Sequence, residues 1–218
     1  MHGVLRRAHG GQRRTGTTLD QFRLNGLVTS VAFGGRRGRV YRRIVELSGA
    51  GPGDRVLDVG CSSGYLVRLL AAVAGPSGEV TGLDPSEAAI AHARRRAPAG
   101  ASFAVGVAQD LSAFPDGAFD VVTSTLALHH VPARKRQDAF REMYRVTRPG
   151  GRLLVADFDP SRRVLRLHGG AARMRHAAAT VGPLDELAAT AGYRVESLGT
   201  LPLLRYVTAV RYDSAYKR

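Results

Sequence analysis

Apolar positions along the chain fall into two alternating rhythms. Short apolar runs stand at Arg55–Val59, Glu79–Leu83, Ser102–Val105, Phe119–Ser124 and Arg152–Ala156, lengths that suit strands buried on both faces. Between them, apolar residues recur every three or four positions over Ser63–Ala74, Ser86–Ala97 and Arg134–Val146, which predicts helices. Ser86 is a good N-cap with Glu87 in the first turn, and Arg148-Pro149-Gly150-Gly151 stops the third helix. A helix over 37–48, marked by Val40, Ile44, Val45 and Leu47, precedes the first strand. Pro183–Ala191 reads as a helix closed by Gly192, with late strands at Tyr193–Leu198 and Arg205–Tyr212. Strand and helix trading places at this spacing predict an α/β fold of right-handed βαβ units, its sheet largely parallel and covered on both faces.

Composition narrows this only a little. The 218 residues suffice for one domain with a full core, and neither a repeat nor a second domain is evident. Residues 1–18 read as a flexible basic arm, 19–48 as an N-terminal helical cap, and 49–218 as the domain proper. Cys61 is the only cysteine, which excludes an internal disulfide and a cysteine-rich zinc site and fits a reducing, cytoplasmic home. No metal site is expected. Apolar runs such as Leu69 to Ala74 are far short of the roughly 20 residues that span a bilayer.

The formal charge of +14 is unevenly spread. Ten arginines face the single acid Asp20 within residues 1–43, and a second cluster runs through Arg162, Arg163, Arg166, Arg173 and Arg175. Such a surface suits an anionic partner, either a membrane or a nucleic acid. The competing explanation is coding bias, because lysine occurs only at Lys135 and Lys217 while alanine, arginine and glycine abound. Few aromatic residues are placed for base stacking. An RNA binder or nucleic-acid-associated enzyme is therefore the alternative rather than the leading reading.

Chemistry concentrates where the first strand ends, in Asp58-Val59-Gly60-Cys61-Ser62-Ser63-Gly64. Open α/β sheets bind ligands beyond the carboxyl ends of their strands, and a turn of small residues lets backbone approach a nucleoside. A dinucleotide fingerprint would need glycine where Ser62 and Val67 stand. The stretch literally matches the Gly-x-Ser-x-Gly elbow of hydrolases, but that elbow normally follows several strands, and here only an arginine-rich helical segment precedes it. Asp84 closes the second strand 20 residues after Gly64, where a carboxylate can accept both ribose hydroxyls of an adenosine.

With these residues in place, Val56–Leu70 resembles motif I of the class I S-adenosylmethionine-dependent methyltransferases, and Gly82–Ser86 resembles motif II. Phe114–Asp120, Leu126–Val131 and Arg145–Gly151 extend the resemblance, in order and at proper spacing, toward the small-molecule branch that includes ubiquinone/menaquinone and phospholipid methyltransferases. It spans about residues 40–210. The resemblance implies a Rossmann-like three-layer sandwich, a mostly parallel seven-stranded sheet with an antiparallel last strand. It implies S-adenosylmethionine as methyl donor, S-adenosylhomocysteine as product and a small-molecule acceptor. By the same likeness Asp58, Gly60, Cys61, Ser62 and Gly64 would hold the methionine portion, Asp84 with Pro85 the ribose, and Ala108, Gln109 and Asp110 the adenine edge. Ser124 and Thr125 would lie beside the cofactor's amino group and face the acceptor. Two positions depart from the family: Ser62 replaces a usual glycine, and Val107 replaces a usual acid.

Methyl transfer from a sulfonium is an in-line displacement in which the enzyme aligns the acceptor and excludes water. A hydroxyl acceptor must also lose its proton, preferably to a group with a pKa near neutrality. His129 follows the fourth strand and is the candidate base; the alternative is that the His129–His130 pair lines the pocket or is structural. His130 and Arg166 are candidate acceptor contacts, the latter within a 162–176 segment that together with residues 19–43 would form a lid.

Overall fold

The computed structural model describes residues 35–159 and 181–212. The basic arm, residues 19–34 and the second arginine cluster with Arg166 lie outside the described residues. Helix α1 (Arg37–Ser48) leads into β1 (Arg55–Val59), α2 (Tyr65–Ala74), β2 (Glu79–Asp84), α3 (Glu87–Arg94) and β3 (Ala101–Val105). Then come β4 (Phe119–Thr125), α4 (Arg136–Val146), β5 (Thr147–Phe158), α5 (Leu184–Ala191), β6 (Tyr193–Leu201) and β7 (Leu204–Arg211).

The seven strands form one sheet in the order β3-β2-β1-β4-β5-β7-β6. Strands β1 to β5 pair in parallel, while β7 runs antiparallel to both β5 and β6. The order reverses between β1 and β4, which opens a crevice at their carboxyl ends, where ligands bind in such sheets.

Side chains alternate across the strands and build a core on each face. Val56, Val80, Val121 and Leu154 point toward α1, α2 and α3, where Ile44, Val67, Leu70 and Ile90 meet them. Leu57, Val122, Leu153 and Val155 point the other way, against Phe140 and Met143 of α4 and Leu184 of α5. Helix α1 thus packs on the sheet itself, through Val40, Tyr41, Ile44 and Val45.

Element ends differ from the sequence expectation for local reasons. Helix α2 starts at Tyr65 rather than Ser63 because Gly64 takes a left-handed φ of 73° as its N-cap. Helix α3 stops at Arg94, three residues before the expected end. Ahead of α4, Ala133–Lys135 form a 3-10 turn. Strand β5 begins at Thr147, which pairs with Phe119 before the register shifts to Arg152 opposite Val121. The Pro-Gly-Gly run that ends α4 is therefore a bulge inside the pairing and not a free loop. The β6–β7 hairpin closes on Pro202 and Leu203, and Leu203 takes the positive φ of 66° that the third position of a type II turn requires.

Candidate functional site

The turn after β1 is shaped by close contacts that leave no room for larger residues. The Gly60 and Cys61 amides both donate to the Leu83 carbonyl, at 2.7 and 2.9 Å, which draws the turn over the end of β2. Gly60 has φ 82°, and a Cβ there would collide with Cβ of Ala127. The Cys61 thiol is buried below the turn, and a Cβ on Gly82 would lie 2.8 Å from its Sγ. Burial pushes that thiol's pKa up, and the neighbouring Asp58 and Asp84 charges add to the effect. Ser62, at the crest, holds a φ of 49°, a left-handed conformation that glycine adopts more readily. The sequence departure at Ser62 is therefore also a backbone constraint.

Two carboxylates organise the crevice. Asp84 accepts the Ser62 amide on Oδ2 at 2.9 Å and the Ser86 amide on Oδ1 at 2.9 Å. Ser86 in turn caps α3 by accepting from Ala89. Asp58 is fully buried beside Thr123, whose hydroxyl donates to its Oδ1 at 2.9 Å. Burial pushes the Asp58 carboxyl up to about 7; the Thr123 bond opposes the shift, and the Asp84 charge adds to it. Thr123 belongs to the site but escaped the sequence reading, although the hydroxyl run Thr123-Ser124-Thr125 was its visible signal.

Register explains why these groups meet. Asp58 lies opposite Gly82 on one side and Thr123 on the other. The hydroxyls of Ser124 and Thr125 are buried without a hydrogen-bond partner in the protein. A buried hydroxyl without a partner costs free energy, so these two point to a ligand that supplies partners.

The segment after β3 borders the same crevice, because the Gly106 amide donates to the Asp84 carbonyl at 3.2 Å. Val107 and Asp110 bridge across a turn that presents Ala108 and Gln109, and Asp110 accepts from the Ser112 amide at 3.2 Å. The next residue is anchored from α4: Leu111 donates to Glu142 at 2.7 Å, while Arg145 donates to the Leu111 and Phe114 carbonyls and to Asp116. Pro85 is exposed at the rim.

On the acceptor side, Leu128–His130 form a 3-10 turn directly beyond β4. The Nδ1 of His129 lies 2.8 Å from Oδ1 of Asp157, and its backbone amide donates to Oδ2 at 3.1 Å. Asp157 is buried, and the Phe158 amide is a third donor to it at 2.7 Å. A carboxylate only accepts, so the imidazole donates through Nδ1–H and Nε2 is the ring nitrogen left for another partner. His130 is exposed, its ring centre 4.0 Å from that of His129.

Helix α1 closes the other side. The guanidinium of Arg37 lies 4.3 Å above the Tyr65 ring and 5.3 Å from Tyr41, and the two tyrosines meet edge to face at 5.0 Å. Burial raises the Tyr41 pKa, Arg37 lowers it, and the charge of Asp58 raises it further. No group of three or more metal-ligating side chains occurs among the described residues.

A methyltransferase-domain model matches residues 56–151, the span that runs from β1 through the bulge of β5. In that span the chain is similar to a methyltransferase domain. Around it, the chain is 40% identical over 139 residues to the ubiquinone/menaquinone biosynthesis C-methyltransferase UbiE of Ectopseudomonas mendocina, covering 61% of this chain and 53% of that protein. It is 42% identical over 125 residues to the 2-phytyl-1,4-naphtoquinone methyltransferase of Synechococcus elongatus, covering 55% and 52%. The chain thus spans about half the length of these curated relatives. Among solved structures, a SAM-dependent methyltransferase from Aquifex aeolicus superposes with a TM-score of 0.68 at 19% identity, over 78% of this chain and 88% of that one. The described residues therefore carry a Rossmann-like fold, and their seven-stranded sheet with β7 antiparallel is the expected one.

Proposed function

We propose that the chain transfers the methyl group of S-adenosylmethionine to a hydroxyl-bearing small molecule. One observation carries the acceptor side: a buried carboxylate holds His129 with Nε2 as its free basic atom, just beyond the strand that carries the unpartnered Ser124 and Thr125 hydroxyls. Small-molecule acceptors are supported by the named relatives, which act in quinone biosynthesis or on a naphthoquinone. The ubiquinone/menaquinone relative is named a C-methyltransferase; in a reduced quinone, a histidine base that takes the ring hydroxyl's proton activates both the oxygen and the adjacent ring carbon.

The residues present fit the donor. Asp58 is a buried acid near the end of β1, suited to an ammonium group, and Ser124 and Thr125 provide unpartnered hydroxyls at the end of the neighbouring β4. Arg37, stacked on Tyr65 at the start of α2, gives the turn a positive charge suited to a carboxylate. Asp84 would take the ribose hydroxyls, and Ala108, Gln109 and Asp110 would border the adenine. When bound, S-adenosylmethionine supplies a methyl group on a sulfonium that leaves as a neutral thioether. The chain's own work is alignment and proton removal: Nε2 of His129 accepts the acceptor hydroxyl's proton as the oxygen or the adjacent ring carbon attacks the methyl carbon. Asp157 holds the ring in one tautomer and stabilises the imidazolium that forms. A histidine base of this kind contributes about 10²–10⁴ in rate.

The test uses methyl-labelled S-adenosylmethionine with reduced menadione and simple phenols, read by mass spectrometry. A labelled methyl ether or ring-methylated product, together with thermal stabilisation by S-adenosylhomocysteine and none by NAD, is the expected result. Absence of any stabilisation by S-adenosylhomocysteine would overturn the reading.

A further inference from the structure

Arg136 opens α4 and is buried, with 5% of its surface exposed. A buried guanidinium is costly unless its donors and its charge are both answered. Here both are answered around His129. Its Nε–H is shared between the carbonyls of Leu128, at 3.1 Å, and Val131, at 3.0 Å. Those residues are the first of the 3-10 turn that carries His129 and the one that closes it. One guanidinium therefore ties together both ends of the turn. Its charge is felt at Asp157 as well: burial draws the Arg136 pKa below its usual range, and the Asp157 carboxylate opposes that shift.

We infer that Arg136 is a positioning residue for the His129–Asp157 pair, fixing the turn that aims the imidazole and providing the countercharge of the buried carboxylate. The inference rests on the reading of His129 as the base, but it concerns a hydrogen bond that exists without acceptor or donor. A free neutral imidazole prefers its proton on Nε2, so the opposite tautomer must be enforced. Asp157 enforces it only while it stays ionised and in line. The two backbone amides that Asp157 accepts favour its ionised form, and a nearby cation holds that form more firmly. The other charged groups nearby are placed differently. Arg205 lies opposite Asp157 in the β5–β7 register, yet its guanidinium donates to the Gly182 carbonyl. His130 stacks on the outer side of His129, and Asp159 is a further buried acid two residues on. Arg136 both answers the Asp157 charge and bonds the turn.

The experiment is a long-range ¹H–¹⁵N spectrum of the histidine rings in the full chain, recorded near pH 8.5, where imidazoles are largely neutral. The wild type is compared with R136Q, R136K and R205Q, and the His129 signals are assigned with H129Q. The expected result is an Nδ1–H signature for His129 in wild type, R136K and R205Q, and its loss to a tautomer mixture in R136Q. An R136Q protein that is less stable but keeps the pure Nδ1–H signature would reduce Arg136 to a structural clamp and overturn the inference. So would a wild-type protein with Nε2–H. Should R136Q fail to fold, the D157N background decides: the R136Q/D157N double variant must regain a cooperative melting transition. A double variant that also fails to fold overturns the inference. Failure of the methyltransferase reading shows separately, as absent stabilisation by S-adenosylhomocysteine with the tautomer pattern intact.

Discussion

Asp84 reaches back across the sheet to accept the Ser62 amide at 2.9 Å, so the end of the second strand holds the crest of the turn that follows the first. The carboxylate proposed for the ribose is therefore also a structural brace, and its substitution has two effects to separate. Asp84→Ala should lower the melting temperature of the free protein and also shrink its stabilisation by S-adenosylhomocysteine. Asp84→Asn keeps an acceptor for Ser62 and isolates the charge. A charged hydrogen bond is worth about 1.5–3 kcal/mol, so Kd for S-adenosylhomocysteine should weaken by roughly 10–100-fold in titration calorimetry. An unchanged Kd in Asp84→Asn would leave Asp84 as a brace only.

Ser62 is a motif residue whose backbone disagrees with its side chain. Its φ of 49° costs a non-glycine residue on the order of 1 kcal/mol. Ser62→Gly should raise the melting temperature by roughly 2–4 °C, the shift that about 1 kcal/mol produces in a chain of this length. Scanning calorimetry on the free protein checks it; a fall would mean that the serine hydroxyl stabilises the turn by more than the strain costs.

The buried Asp58 sets a pH dependence with a definite sign. Its carboxyl is raised to about 7 in the folded chain, against about 4 for an exposed aspartate. Between those values the folded state holds a proton that the unfolded state has lost, so stability falls as pH rises from about 4 to 7 and then levels off. Asp58→Asn should flatten that part of the melting-temperature profile, measured without donor. An identical slope in wild type and variant would show that Asp58 is ionised throughout.

His129→Gln should slow methyl transfer by about 10²–10⁴-fold while leaving Kd for S-adenosylhomocysteine unchanged. Asp157→Asn should follow it, since an amide no longer enforces the Nδ1–H tautomer. Turnover with the labelled donor and a reduced naphthoquinone reads both. Full activity in His129→Gln would return the pair to a structural role.

The strands and the turn of small residues were legible because apolar period and glycine placement act locally. The alternation around Val56 and Val80 needs only neighbouring residues to be read. What stayed hidden is nonlocal. Asp157 meets His129 across 28 residues through the β4–β5 register, and no spacing rule announces that pairing. Arg136 looks like one more surface arginine at a helix start until the 3-10 turn folds its carbonyls toward it. The early start of β5 was likewise masked, because Pro149-Gly150-Gly151 signals a break while the bulge keeps the pairing on either side.

Cys61 sits beneath the turn against Gly82 and Phe103, with its thiol protonated by burial. A protonated, enclosed thiol does not react with alkylating reagents, so each labelling event must wait for the turn to lift away. The chain thus carries its own stopwatch: the alkylation rate of a single sulfur counts how often the corner proposed to hold the nucleoside breathes. Any compound seated in that corner should slow the count in proportion to its occupancy, including compounds that are never turned over.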